Sequence, residues 1–254
     1  AGPAPLTLAS SGVKRPRHPE SHVYVGPGQY CDCGTIGATR GREVHLHTEQ
    51  PDTASEIWQR LVELVDAAAE ARTEIFEPAK AFTPTEWASV VTLPPTIAKL
   101  KSVRQLRLHG NSFVRLPHEI GEMDALENLD TYTSYRLHWY PYEITRCKNL
   151  RESLVSTRTL YGNYKYRSPF PILRPGQNSD ALKLSMPPAC SVCRGPFQGD
   201  PVLRWISLRV ATDVLPLLVY ACSGHCVSAL PTPPENYVGK PHRGGRSLEQ
   251  PRPR

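Results

Sequence analysis

Four cysteines in the last third of the chain stand in two close pairs. Cys190-x2-Cys193 is followed, after 28 intervening residues, by Cys222-x3-Cys226. Thiolates are soft ligands, and four of them satisfy a tetrahedral zinc ion when a tight C-x2-C turn aims two sulfurs at one point. A full set of four thiolates leaves no open position for water, so the expected cofactor is a structural Zn2+ and not a catalytic one. His225, inside the second pair, is an alternative nitrogen donor. The competing reading is four ordinary thiols, two of them capping a buried hairpin. Thiol–disulfide exchange at Cys190 and Cys193 is less well supported, because no βαβ pattern surrounds them. Nearer the start, Cys31-x-Cys33 and His45-x-His47 offer a conceivable two-cysteine, two-histidine site. One intervening residue is tighter than a usual zinc knuckle, and free thiols in an unstructured segment are the preferred reading there.

The elements that must position the four cysteines are legible. Leu203–Val210 and Leu215–Tyr220 read as two strands with a turn near Thr212 and Asp213, and Cys222–Leu230 as a short helix stopped by Pro231. This order of knuckle, hairpin and CSxxC at a helix start resembles treble-clef zinc modules, with VYACSGHC similar to their second knuckle. The resemblance implies Cys190, Cys193, Cys222 and Cys226 as the metal ligands.

The middle of the chain repeats itself. Pro94 recurs as Pro117 and Pro141, Ile97 as Ile120 and Ile144, Leu100 as Met123 and Cys147, and Val103 as Leu126 and Leu150, in steps of 23 and then 24 residues. Leu106 and Leu108, two apart, fall on one face of a strand, while Gln105, Arg107 and His109 fall on the other. Asn111 turns the chain and offers its amide to backbone that has no ladder partner. Later units are looser: Thr131 replaces a leucine in the second, and Ser153 and Val155 in the third, whose strand is accordingly in question. The pattern Val103-x-x-Leu106-x-Leu108-x-x-Asn111-x-Phe113 resembles the leucine-rich repeat family, in its LPxxI-type subclass of bacterial and plant intracellular proteins. The resemblance spans about residues 87–166. It implies an α/β fold, a short solenoid with its strands side by side. It also implies a non-catalytic protein-binding role along the strand face, at Gln105, Arg107, His109, Asn128, Asp130 and Tyr132.

A short array needs covered ends. Thr53-x-x-Glu56 reads as a capping box opening a helix over 54–77, with Ile57, Leu61, Leu64, Ala68 and Ile75 at helical spacing. Thr83, Pro84 and Glu86 announce a second helix. Both are expected to cover the first repeat; a dimerising surface is the alternative. At the other end, residues 190–230 are expected to dock on the last repeat. Between Tyr132 and Tyr166 an aromatic-rich stretch suits either recognition or the filling of space left by small residues. Within it, Trp139 and Tyr140 read as structural.

The resulting organisation is 1–52 unstructured, 53–86 capping helices, 87–167 repeats, 168–189 a linker or strap, 190–230 the zinc module and 231–254 a basic, proline-rich tail. The chain has 254 residues, 39% of them hydrophobic, with 26 prolines and 17 glycines, which predicts a core together with much irregular backbone. Net charge is +6. Beyond Val238, Lys240, Arg243, Arg246, Arg252 and Arg254 stand against Glu249 alone, so the middle is near neutral. That weakens the alternative function, a zinc-dependent nucleic-acid binder using the last module and the tail. No apolar run is long enough to span a membrane. Ala1 opens the chain without methionine, pointing to a truncated or processed start, and no secretory signal follows. Seven cysteines, partly in close pairs, suit a reducing compartment, and a cytoplasmic location is expected. No phosphate-cradling glycine loop, G-x-S-x-G elbow or H-E-x-x-H appears, and no enzyme is expected.

Overall fold

The structure is a computed structural model that describes residues 44, 46–162, 167–174, 179–245, 247–249 and 251. Cys31, Cys33, His45, Tyr164 and Tyr166 lie outside the described residues. The fold is mixed α/β, with one parallel sheet and one mixed sheet, and among the described residues neither closes into a barrel.

Helix α1 spans Glu56–Glu70, and Ser55, not Thr53, caps it, its hydroxyl accepting the Trp58 N–H. The expected helix over 54–77 is therefore shorter. Arg72 takes a left-handed turn at φ 49°, the Thr73 N–H closes onto Ala68, and Ile75 leaves the helix. The Thr83 capping box is present in full and opens α2, Pro84–Ser89. That short helix buries Trp87 against Phe82 and Phe113, and its indole N–H donates to the His109 carbonyl at 2.9 Å.

Three prolines then set three similar turns. Pro94, Pro117 and Pro141 have φ of −70°, −70° and −66°, and each opens a 3-10 turn: Pro95–Lys99, His118–Glu122 and Tyr142–Arg146. The fixed ring torsion makes the entry angle the same each time. Ile97, Ile120 and Ile144 are fully buried on the inner side of these turns. Successive turns approach closely at Gly121, where a Cβ would sit 2.5 Å from the Glu143 carbonyl oxygen, so no larger residue fits.

Strands β1 (Ile75–Phe76), β2 (Gln105–Arg107) and β3 (Asn128–Thr131) pair in parallel. The fourth strand of that sheet is β5 (Glu152–Val155), reached after β4 (Tyr140–Pro141) has left for the second sheet. Gln105 pairs with Asn128 and Asn128 with Glu152, the same steps of 23 and 24 residues as in the sequence. The strand after Leu150, in doubt from its Ser153, is thus formed. Leu106 and Leu108 are wholly buried, and Asn111 is buried with its amide donating to Leu108 O and Ser134 Oγ while its carbonyl accepts the Phe113 N–H.

The second sheet is a long hairpin, β6 (Val202–Val210) and β7 (Asp213–Ala221), with β4 added in parallel to β7. Both sheets feed one core: Leu106, Leu129 and Ile144 belong to the same buried cluster as Ile206, Leu217, Cys190 and Cys226. At the open side of β5, the Ser153 N–H donates to Thr212 Oγ1 at 3.1 Å, and the Ser153 hydroxyl donates to the Asp213 carboxylate at 2.7 Å.

A second, largely aromatic cluster lies on the other face of the hairpin. Trp139, Tyr161, Phe170, Trp205 and Tyr220 are buried there, with Val44 and Leu46 from the end of the segment read as unstructured. Residues 168–189 are more than a linker: Phe170 and Leu173 are buried, and α3 (Ser179–Lys183) buries Ala181 and Leu182. The segment read as a solvated tail is corrected too. His242 bridges to Trp205 with both backbone hydrogen bonds, at 2.8 and 3.0 Å, because the outer edge of β6 otherwise leaves those groups without a ladder. Among the described residues no helix is long and apolar enough to cross a membrane.

Candidate functional site

The loop before β6 and the end of β7 bring the four cysteines together. Ser191 fastens the first pair, its N–H donating to Tyr220 O at 2.8 Å and its hydroxyl accepting the Tyr220 N–H at 3.1 Å. The chain then turns sharply, with Arg194 at φ 61° and the Cys190 N–H closing on Gly195 O at 2.9 Å. The second pair leads out of β7 into the short helix α4, Gly224–Ser228, capped by Ser223, whose hydroxyl accepts the Cys226 N–H.

All four sulfurs lie within 4.8 Å of one another, with Cys193 to Cys222 at 3.6 Å and Cys222 to Cys226 at 3.5 Å. A disulfide requires about 2.05 Å. Sulfurs about 2.3 Å from one tetrahedral ion lie roughly 3.7–3.8 Å apart, close to the Cys193–Cys222 and Cys222–Cys226 separations. Taken as thiols, Cys190 and Cys226 are shifted in opposite directions. Burial works against a Cys190 thiolate, but the backbone N–H groups of Cys193, Cys222 and Val192 outweigh it and draw the group down to about 7. The neighbouring Cys222 sulfur, and then burial, push Cys226 up to about 12. A cation between them removes that opposition, since it favours the thiolate at every ligand. The four cysteines therefore fit a metal ion, and further donors from backbone N–H groups are in place: Cys222 N–H to Cys190 Sγ at 3.2 Å and Gly195 N–H to Cys193 Sγ at 3.4 Å.

The strip of expected partner-binding residues divides. Gln105, Arg107, Asn128 and Asp130 line an open trough of about 720 Å³ on the face of the parallel sheet. His109 and Tyr132, both exposed, lie outside it. The trough also takes in Glu152, Leu154, Thr157, Thr212 and Asp213, none of which was expected at the binding face. Glu152 and Leu154 were obscured by the poor match of their strand, although the 24-residue step from Asn128 and Asp130 points to both. Thr212 and Asp213 arrive from a distant hairpin turn. Leu154 is 50% exposed, which is unusual for a leucine in a sheet and places one apolar contact at the rim.

No protein-family model matches this chain, and no curated protein matches it.

Proposed function

We propose that the chain is a non-catalytic protein-interaction module: a short leucine-rich repeat array whose C-terminal end is closed by a structural zinc module. The observation that carries the reading is the sheet face. Two rows in register, Gln105–Asn128–Glu152 and Arg107–Asp130–Leu154, present side chains outward while their alternating neighbours Leu106 and Leu129 fill the core. Repeat arrays bind along such a strand face. Four thiolates in a closed set suit a structural zinc ion.

The chemistry of the trough describes its partner. Asp130, Glu152 and Asp213 contribute carboxylates, while the charge of Arg107 is met by Glu77 at 3.3 Å. A partner offering basic side chains and one aliphatic contact for Leu154 complements that face. The nucleic-acid alternative draws less support, because one basic side chain of the last segment is already held: Arg243 Nε donates to Leu173 O at 3.3 Å. The test is partner capture from the source cell by the full chain and by Asp130→Arg and Glu152→Arg. Both reversals should abolish capture while leaving the melting curve unchanged. Capture that survives both moves the binding surface elsewhere.

A further inference from the structure

The three proline turns share a backbone but not what stands on it. Two positions after each proline come Thr96, Glu119 and Glu143, and five positions after it come Lys99, Glu122 and Arg146. On the first two turns the charged members reach solvent: Lys99 and Glu122 are about half exposed, and Glu119 is 20% exposed. On the third turn Glu143 is 1% exposed and Arg146 17%. Their ends lie 3.8 Å apart, an ion pair too long to be a hydrogen bond. Burying two charges is costly unless further groups satisfy them.

What satisfies them is Ser191. Arg146 Nη2 donates to the Ser191 carbonyl at 3.1 Å, and the Ser191 hydroxyl donates to the Glu143 carboxylate. From the other side Tyr220, in β7, accepts the Ser191 N–H at 2.8 Å and donates to the Ser191 hydroxyl oxygen at 3.1 Å. All four polar functions of this buried serine are used, two by the hairpin and two by the third turn.

Ser191 directly follows Cys190. Hydrogen bonds inside the knuckle, from Cys190 N–H to Gly195 O and from Arg194 N–H to Cys190 O, give the loop its shape but not its place. The main chain of the knuckle is tied to the rest of the fold at Ser191. For a metal the consequence is geometric. Two sulfurs on this loop complete a tetrahedron with Cys222 and Cys226 only if the two pairs keep their relative position to within about 0.5 Å, and bonds behind the ligands supply that constraint.

We propose that Glu143 and Arg146 are positioning residues for the four-cysteine cluster, an assignment that rests on the zinc reading of that cluster. Through Ser191 they hold the Cys190–Cys193 knuckle against the Cys222–Cys226 pair, and so set how tightly a metal is kept. The experiment loads the full chain with Zn2+ and measures its affinity by competition with a chromophoric chelator, while parallel loading with Co2+ reads the sulfur-to-metal band. Arg146→Met and Glu143→Leu, close in size to the residues they replace, should each weaken zinc by about 10-fold or more, the usual effect of losing a partner that orients a ligand. Glu143→Gln keeps an acceptor for the Ser191 hydroxyl and should recover most of the affinity. Lys148→Met, whose Nζ donates to Thr145 O on the same stretch, should bind as the unaltered chain does. Unchanged affinity in Arg146→Met overturns the assignment, even where the melting temperature falls, because packing alone then accounts for the burial. That variant decides the matter if Glu143→Leu does not fold. An equal loss in Lys148→Met also overturns it, since the effect would then not run through Ser191. An unaltered chain without the sulfur-to-metal band ends the zinc reading and this assignment with it, whereas a band of full strength in every variant at equal zinc affinity overturns this assignment alone.

Discussion

The two sheets reach the same buried cluster by different physical routes. The parallel sheet is built from short strands, two to four residues long; after β1, which follows α1, each is placed by the proline turn before it and by its parallel neighbour. Its side of the core is mostly aliphatic: Leu106, Leu108, Ile120 and Leu129 contribute similar layers. The hairpin has two nine-residue strands and buries both faces, with aliphatics toward the shared core and Trp205, Leu218 and Tyr220 toward the aromatic cluster. Many small equivalent contacts hold the first region, whereas the second hangs on a few large ones and on a point where four sulfurs meet. A loss in the first should therefore be graded, and a loss at the four-cysteine cluster, where a metal is proposed, should be abrupt.

The largest effect is expected on metal removal or on Cys222→Ser. Binding of a structural zinc by such ligands amounts to about 10–16 kcal/mol in small zinc domains, and it appears as folding energy. Here Cys190 and Cys226 lie in the same cluster as Leu106 and Ile144, so the loss should not stay local. Chelation should lower the melting temperature of the whole chain in a single transition followed by circular dichroism and by tryptophan fluorescence. Two separated transitions, with the parallel sheet melting at its former temperature, would make the hairpin an independent unit.

Next in size is truncation within the aliphatic layers. Leu106→Ala and Leu108→Ala remove fully buried side chains and should each cost about 2–5 kcal/mol in chemical denaturation. Arg107→Ala, between them, should stay within about 0.5 kcal/mol, because its partly exposed ion pair with Glu77 at 3.3 Å is of the weak kind. Equal sensitivity at positions 106 and 107 would be incompatible with the register of β2.

What could be read from the sequence follows the same division. The proline and isoleucine positions are local signals, each fixed by φ or by burial, so the turns at 95, 118 and 142 were legible with their spacing. The Thr83 box and the approximate hairpin were local too. The β5 strand was obscured because Ser153 looks polar by itself; its hydroxyl and N–H are satisfied by Asp213 and Thr212, which lie about sixty positions away in sequence and were invisible from the strand. The docking of β4 on β7 depends on Tyr140 donating or accepting at Thr131 across 2.6 Å and on pairing with Leu217, neither of which leaves a periodic mark. The same holds for residues 238–248. Proline and basic charge read as solvent exposure, yet His242 supplies hydrogen bonds that an open strand edge needs.

The smallest of these effects, and the one confined to the aromatic side, concerns that histidine. His242 stands edge-on to Phe170 at 4.6 Å, and its Nδ1 accepts the Gly244 N–H at 3.1 Å, so the ring is neutral in the fold. Burial lowers its pKa from 6.5 to about 4. The unfolded chain therefore binds the proton more readily over the interval between those values, and stability rises with pH across it. The contribution is fully present above about 6.5 and is lost as pH falls toward about 4, by at most roughly 3.5 kcal/mol at about 1.4 kcal/mol per pH unit. Carboxylates and thiolates titrate nearby, so the quantity to measure is the difference in unfolding free energy between the unaltered chain and His242→Gln at several pH values. That difference should shrink or change sign between pH 7 and pH 4 in disfavour of the unaltered chain, and tryptophan fluorescence should follow it, because Trp205 bonds directly to His242. A difference independent of pH would mean that the ring is hydrated in solution, and that the last segment leaves the β6 edge open.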